Sequence, residues 1–396
     1  MEKIFICDST LRDGEQSPDA GMTFDQKIQL GQALMDLGVD VLDTGLAQTS
    51  DMDAQVIYKL SQMAQDKNTI VSALSRCCQK DIETSAKALD PALSYKKGRM
   101  HVFVATSQKH IETKLKKTKS EILKMIQEGV SFAKKITQDV QFSAEDASRS
   151  EINFLIQCVQ TAIDAGATTI NIADTVGQMV DMQMQELFET ILSKVKHDNV
   201  VFSVHCHNDK GLATANSLFA IKGGARQVEC CMNGLGERAG NAALEEVVMA
   251  ILTTPERYPY TLQIDPKKIM GISQMVSDFS GFVIAPNKTI VGKNAFLHAS
   301  GIHQDGILKA RQKGVKAMYS AIDPEILGRK DELMITRHSG HKAIGYMLEK
   351  QGILITSQVA QKVLEQIKQM SDHPKHFSDE ELLNLYQRCA QEKKST

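Results

Sequence analysis

The feature that most constrains this chain is a regular alternation. Short β-rich runs recur at 3–7 (KIFIC), 40–44 (DVLDT), 69–73 (TIVSA), 101–105 (HVFVA), 139–143 (DVQFS), 168–172 (TTINI), 200–205 (VVFSVH) and 227–232 (QVECCM). Between them lie apolar residues at helical spacing. Ile28, Leu30, Ala33, Leu34 and Leu37 end at Gly38, and Ile152, Leu155, Ile156, Val159 and Ile163 end at Gly166. A glycine just past an apolar-periodic segment is a helix stop signal. Strand–helix alternation points to a parallel sheet. Several strands read as near-continuous apolar runs, as expected when both faces of a sheet are covered. An open doubly wound sheet fits the alternation too. Eight units over about 250 residues is the barrel repeat, and no G-x-G-x-x-G follows the first strand. The expected class is therefore α/β, a (β/α)8 TIM barrel with a C-terminal lid and a small helical subdomain.

The barrel pattern fades near Thr253-Thr254-Pro255. Three parts are expected: the barrel over 1–265, a linker or lid over 266–322, and a small helical subdomain over 323–396. The chain has 396 residues and a formal net charge of −2, with no long basic run. Nucleic acid is therefore not an expected partner. No apolar run is long enough to span a bilayer. The N-terminus enters a strand directly, without the layout of a secretory signal, so a cytoplasmic location is expected. Cys77-Cys78 and Cys230-Cys231 are adjacent pairs and no C-x-x-C occurs. Reduced, mostly buried thiols are the expectation.

In a barrel of this kind the loops after the strands form the active face. Charged and polar residues fall there: Asp8, Arg12, Asp13, Glu15 and Gln16 after strand one, Asp43 at the end of strand two, Arg76 after strand three. Ser143, Glu145 and Asp146 follow from strand five, Asn171, Asp174 and Thr175 from strand six. His205 and His207 close strand seven, and Glu237, Arg238 and Asn241 follow strand eight. His205 and His207 are two apart, so on a strand they point to one side. Two imidazoles with a carboxylate such as Asp13 can hold a divalent metal and leave positions open; two buried core histidines are the alternative. Arg12 is either an ion-pair partner of a neighbouring acid such as Glu15 or a stabiliser of a developing oxyanion. Glu145 is a general base or a solvated acid. The loop Asn233 to Asn241 carries three glycines; it is a turn or a phosphate cradle, and lacks the Lys-Ser/Thr ending of a P-loop. His303 is a surface histidine or an acid–base group on a segment over the barrel mouth.

Taken together these motifs resemble the 2-isopropylmalate synthase family, which groups with homocitrate and citramalate synthases and 3-hydroxy-3-methylglutaryl-CoA lyases. The matching stretches are Asp8 to Gln16, HVFVATS from His101, FSAEDASR from Phe142, NIADTVG from Asn171, HCHND from His205, GLGERAGNAALEE from Gly234 and SGIHQDG from Ser300. The resemblance implies condensation of acetyl-CoA with a 2-oxo acid, then thioester hydrolysis. It implies a divalent metal (magnesium, manganese or zinc) on Asp13, His205 and His207, with Asn241 completing or supporting the site. Arg12 would stabilise the enolate oxygen, and Glu145 and His303 would move protons. Gln16, His101, Ser143 and Thr175 would contact the 2-oxo acid, and Tyr319 would reach the site from the tail. A homodimer is implied, with His303 and Tyr319 able to act across it.

The loop GLGERAGN favours a synthase, because lyases of the family resemble one another in carrying a cysteine in a longer loop there. The favoured 2-oxo acid is 2-oxoisovalerate; homocitrate and citramalate synthase, or a lyase, are the alternatives. Asp43-Thr44-Gly45-Leu46-Ala47 departs from the usual Glu-x-Gly-Phe-Pro, Ala173 replaces a usual proline, and Lys293 and Ala299 replace acids. These departures leave the 2-oxo acid open. The chain is expected to lack the separate C-terminal regulatory domain of leucine-inhibited relatives. Leucine should then leave the activity unchanged at submillimolar concentration, which an inhibition titration checks.

Overall fold

The computed structural model describes residues 1–180, 182–196, 198–370 and 376–391, and divides into two compact units, Met1–Ile284 and Ala285–Thr396. In the first unit eight strands close into a barrel: β1 (Phe5–Asp8), β2 (Val41–Asp43), β3 (Ile70–Arg76), β4 (Gly98–Ala105), β5 (Val140–Glu145), β6 (Thr169–Asp174), β7 (Val201–Cys206) and β8 (Gln227–Cys230). All pairs are parallel. β8 returns to β1 with Phe5 opposite Gln227 and Cys7 opposite Glu229, so closure leaves no edge. One long helix follows each strand: α1 (Phe24–Leu37), α2 (Asp51–Met63), α3 (Gln79–Ser94), α4 (Lys119–Ile136), α5 (Ile152–Asp164), α6 (Gln183–Leu192), α7 (Ala213–Lys222) and α8 (Leu244–Thr253). This is the expected (β/α)8 barrel.

Local chemistry explains the helix ends. Thr23 caps α1 in a reciprocal box with Gln26, and Thr118 does the same for α4 with Glu121. Gly38 ends α1 at φ +98°, where a Cβ would stand 2.6 Å from the Gln263 carbonyl oxygen. Only glycine fits that close approach.

The strands correct one expectation. They are not apolar on both faces. Along β5 to β8, buried Phe142, Ala144, Ile170, Ile172, Phe202, Val204, Val228 and Cys230 alternate with Gln141, Ser143, Asn171, Ser203, Gln227 and Glu229. Side chains alternate across a strand, so the apolar set faces the helices and the polar set fills the barrel. The polar set is bonded to itself. Arg99 Nη1 donates to Gln141 Oε1 (3.1 Å) and Gln227 Oε1 (2.8 Å), Gln227 Nε2 to Ser203 Oγ (3.0 Å), and Asn171 Nδ2 to Ser143 Oγ (2.9 Å). Buried polar groups are tolerable when paired in this way.

The second unit holds helices Gly301–Gln312, His341–Lys350, Ser357–Gln369 and Asp379–Gln391. The last three share a core that includes Ile344, Leu348, Val363, Ile367, Leu382 and Leu385. SGIHQDG opens the first of the four helices. Among the described residues, no helix is long and apolar enough to cross a membrane.

The loop after β1 is tied down at several points. Thr10 N and Oγ1 both donate to Asp8, and Met232 N donates to Thr10 Oγ1. Burial lifts Asp8 to about 7 despite those bonds. Farther along, buried Lys27 of α1 pairs with Glu15 of the loop (2.6 Å) and Asp53 of α2 (2.7 Å). Removing the ammonium strands two acids that have little water of their own. Lys27→Met is expected to lower unfolding stability by about 3 kcal/mol, measured by denaturant titration.

Candidate active site

Three ligand-type side chains converge at the C-terminal mouth of the barrel. Asp13 sits in a tight turn where the amides of Arg12, Asp13 and Gly14 all donate to the Ser9 carbonyl. His205 lies in β7, and His207 just beyond it makes a bridge to Asn241. The two imidazole Nε2 atoms are 3.1 Å apart. Asp13 Oδ2 is 3.9 Å from His205 Nε2 and 3.8 Å from His207 Nε2. The point equidistant from the three atoms lies about 2.1 Å from each, a bond length for a divalent metal.

The surroundings favour that use. Asn241 Nδ2 donates to Asp13 Oδ2 (2.6 Å) and Cys231 Sγ (3.0 Å), while its Oδ1 is buried without a hydrogen-bond partner among the described residues. His207 Nδ1 meets the Gly240 carbonyl oxygen at 3.1 Å, so as a donor there it leaves Nε2 free. Burial, with His205 beside it, pulls His207 down to about 4 and keeps it neutral at pH 7, although Asp13 opposes. Burial works to raise Asp13, but Arg12, His205 and His207 outweigh it and hold the carboxyl below its ordinary value. Two imidazole nitrogens, a carboxylate and a spare amide oxygen fit a divalent cation.

The charge balance points the same way. The Arg12 side chain, 10% exposed, meets Asp43 (2.9 Å), Glu229 (3.5 Å) and Asp13 (3.6 Å). Burial opposes its charge, but the three carboxylates raise its pKa above the ordinary value. Burial and Glu229 lift Asp43 to about 6 against the pull of Arg12. Burial also opposes Glu229, yet His205 and Arg12 help to hold it at about 2. Arg12 does not pair with Glu15, whose partner is Lys27.

Arg12, Asp13, Gln16, His101, Ser143, Glu145, Thr175, His205 and His207 line one cavity of about 270 Å³. Burial drops His101 to about 3, so it is neutral, and its Nε2 meets Ser143 Oγ at 2.6 Å. Glu145 accepts from Lys114 Nζ (2.7 Å), and His110 Nδ1 is 3.2 Å away. Thr175 Oγ1 accepts from the Asp146 amide. His303 and Tyr319 belong to the second unit, where their rings stack at 4.3 Å and Gly306 leaves room for the tyrosine.

Several of the mouth residues are elsewhere occupied. Arg76 is largely exposed and pairs with Asp81; Asp146 binds Arg149; Asp174 accepts from Ser148 and the amides of Gln178 and Met179. The three-glycine loop wraps the Asp13 corner: Gly236 exchanges hydrogen bonds with Ser17, and a Cβ on Gly236 would stand 2.6 Å from Asp13 Oδ2.

The sequence matches the HMGL-like family model over residues 3–276 and the homocitrate synthase post-HMGL domain-like model over 290–375. A 2-isopropylmalate synthase of Methylacidiphilum infernorum is 46% identical over 386 residues, 97% of this chain and 74% of that protein. One from Aquifex aeolicus is 44% identical over 385 residues, 96% of this chain and 72% of that protein. The chain belongs to the 2-isopropylmalate synthase family. The fold is also that of a hydroxymethylglutaryl-CoA lyase from Pseudomonas aeruginosa, with TM-score 0.59 and 18% identity over 74% of this chain and 96% of that one.

Motifs of the family cover Asp13, His205, His207 and Asn241, but not every residue of the cavity. Leu46, Leu74, Lys114 and Glu229 also line it. A glutamate inside the buried run QVEC was the one available signal for Glu229. Lys114 carried none, because it reaches the cavity from a π-helical turn, Ile111–Leu115.

His101 gives a pH test. The unfolded chain protonates it below about 6.5, whereas the folded protein does so only near 3. Between those values the unfolded state binds the extra proton, so this residue's contribution falls as pH falls and is constant above the window. Metal-free wild type should lose stability relative to His101→Gln by up to about 1.4 kcal/mol per pH unit below 6.5, read from denaturant midpoints.

Proposed function

We propose that the chain condenses acetyl-CoA with a 2-oxo acid, 2-oxoisovalerate foremost, and hydrolyses the thioester to give 2-isopropylmalate for leucine biosynthesis. The observation that carries this reading is the inward-facing triangle of Asp13, His205 and His207 in a cavity that also presents an apolar wall. A divalent ion held there would supply Lewis acidity to a keto acid's oxygens. Magnesium, manganese and zinc all suit two imidazoles, a carboxylate and oxygen donors. Asn241 keeps Asp13 aimed, and its Oδ1 is free to join the set.

The chain's own groups do the rest. Arg12 is a fixed cation, clamped by Asp43, and is placed to stabilise the negative oxygen that develops when acetyl-CoA loses a methyl proton. Glu145 is the candidate to take that proton, and His303, stacked on Tyr319, is the second candidate for proton movement. Neutral His101 and Ser143 form a hydrogen-bonded pair that offers a polar edge to the substrate, with Gln16 and Thr175. We further propose a homodimeric, cytoplasmic enzyme, as the family resemblance implies.

The wall chemistry supports a branched aliphatic side chain. Leu46, Leu74, Phe103 and Ala173 line the cavity. Its other cations are committed: Lys114 to Glu145, and Arg238 to Asp209. A second substrate carboxylate, as in 2-oxoglutarate, would meet no unpaired lysine or arginine among the described lining residues. The alternative with 2-oxoglutarate is therefore disfavoured, and pyruvate, whose methyl group would leave most of the apolar wall uncovered, is expected to be the weaker substrate.

A thiol-release assay with acetyl-CoA, a panel of 2-oxo acids and each of the three metals tests this. 2-Oxoisovalerate should exceed pyruvate by at least roughly 10–200-fold in kcat/KM, the scale of a single missing methylene, since pyruvate lacks two methyl groups. Turnover of 2-oxoglutarate should be negligible. No condensation with any 2-oxo acid would overturn the reading. Arg12→Lys should lower kcat by about a hundredfold, because a lysine cannot keep the forked contacts to Asp43 and Glu229.

A further inference from the structure

Glu229 is a buried acid that the proposed chemistry leaves without a task. It lies on β8 with its side chain 1% exposed. Its Oε1 accepts from Gln141 Nε2 at 2.5 Å. Its Oε2 stands 3.2 Å from His205 Nδ1 and 3.5 Å from Arg12 Nη2. Neither Glu229 Oε2 nor His205 Nδ1 makes a well-aligned hydrogen bond to any described group, each other included, so the two face one another at 3.2 Å with their hydrogen-bonding capacity unspent. Each therefore has the other as its nearest available partner.

The carboxylate is also held from below. Gln141 Oε1 accepts from Arg99 Nη1 (3.1 Å) and from Gln227 Nε2 (3.0 Å), and Arg99 Nε donates to Asp139 Oδ1 (2.8 Å). This relay joins β4, β5 and β8 and ends on Glu229. The two imidazoles are thus oriented by different means. His207 leans on a main-chain carbonyl, that of Gly240. Among the described residues, His205 Nδ1 faces a carboxylate, itself fixed by a side-chain network.

We propose that Glu229 is a positioning residue for the metal corner. It accepts the Nδ1 proton of His205, which fixes the tautomer and the ring plane and leaves Nε2 as the free donor. Through the same oxygen it holds Arg12 in register with that corner. The inference rests on the metal reading of Asp13, His205 and His207. A carboxylate behind a ligating histidine also makes that histidine a better donor, and its loss typically costs 10–100-fold in metal affinity.

The test is zinc titration of the metal-free full chain by calorimetry, wild type against Glu229→Gln. Glutamine keeps the shape and a carbonyl toward Gln141 but loses the charge. The expected result is one zinc per chain in both, about 10–100-fold weaker in the variant, with little change in Tm. Equal zinc affinity in a folded variant, or a lowered Tm with affinity unchanged, overturns the proposal, since a structural role moves only Tm. No zinc binding by the wild type overturns the metal reading as well. A variant that does not fold is met by a second measurement on zinc-loaded wild type labelled with 15N-histidine. His205 Nδ1–H should give a downfield proton resonance protected from solvent exchange. Free exchange there overturns the proposal.

Discussion

Three buried carboxylates surround one buried guanidinium, and the rest of the site follows from that imbalance. Asp13, Asp43 and Glu229 are 3%, 0% and 1% exposed at the side chain. Each buried charge costs several kcal/mol unless it is compensated. Arg12 touches all three but can neutralise one. Burial, with the Glu229 charge beside it, raises Asp43, while Arg12, His205 and their neighbours hold Asp13 and Glu229 below their ordinary values. A dication at the Asp13–His205–His207 corner would restore neutrality where two lone pairs and a carboxylate already face one another. The residues that look most costly to bury are those that a metal would make worth burying.

A polar barrel interior has to be stabilised from elsewhere. The outward residues of the strands and the inward faces of the helices supply it: Ile82 and Leu89 of α3, Ile122 and Ile126 of α4, Leu155 and Val159 of α5 are buried. Fully burying side chains of this size contributes roughly 1.5–3 kcal/mol each. The hydrophobic layer is therefore a shell between sheet and helices, and the axis is free to hold Arg99, Gln141, Gln227 and Glu229. Inside, stability depends on completeness of hydrogen bonding rather than on apolar area.

The same division explains what could be read from the sequence. Helix periodicity and terminal glycines are local, so eight β/α units and their order were legible. The helical spacing from Ile28 to Leu37, closed by Gly38, is α1. The interior was misread because Val140-Gln141-Phe142-Ser143 looks apolar in bulk while alternating in fact. The site was half legible. Asp13, His205, His207 and Asn241 stand in motifs, and their convergence is now measured in ångströms. Glu229, Gln141 and Arg99 stand in none, since their role comes only from which strands lie side by side. Arg12 was legible as a charge beside Asp13, but its partners Asp43 and Glu229 come from other strands, and the neighbouring Glu15 is taken by Lys27.

Closure of the barrel is what assembles the corner. Asp13 comes from the first turn, and the histidines and Asn241 come from β7, the residue just past it and the loop after β8. These ends meet because β8 pairs with β1, with Cys7 opposite Glu229 and Asp8 opposite Cys230. Asn241 then bridges the seam by holding Asp13, and Gly236 allows the loop after β8 to pass against the same carboxylate. An ion bound by groups from both sides of this seam binds the closed barrel and not the open chain. Ligands of that kind stabilise by mass action. The contact between the first and last strands, built from residues over 200 positions apart, is thus where a bound cation would couple to folding.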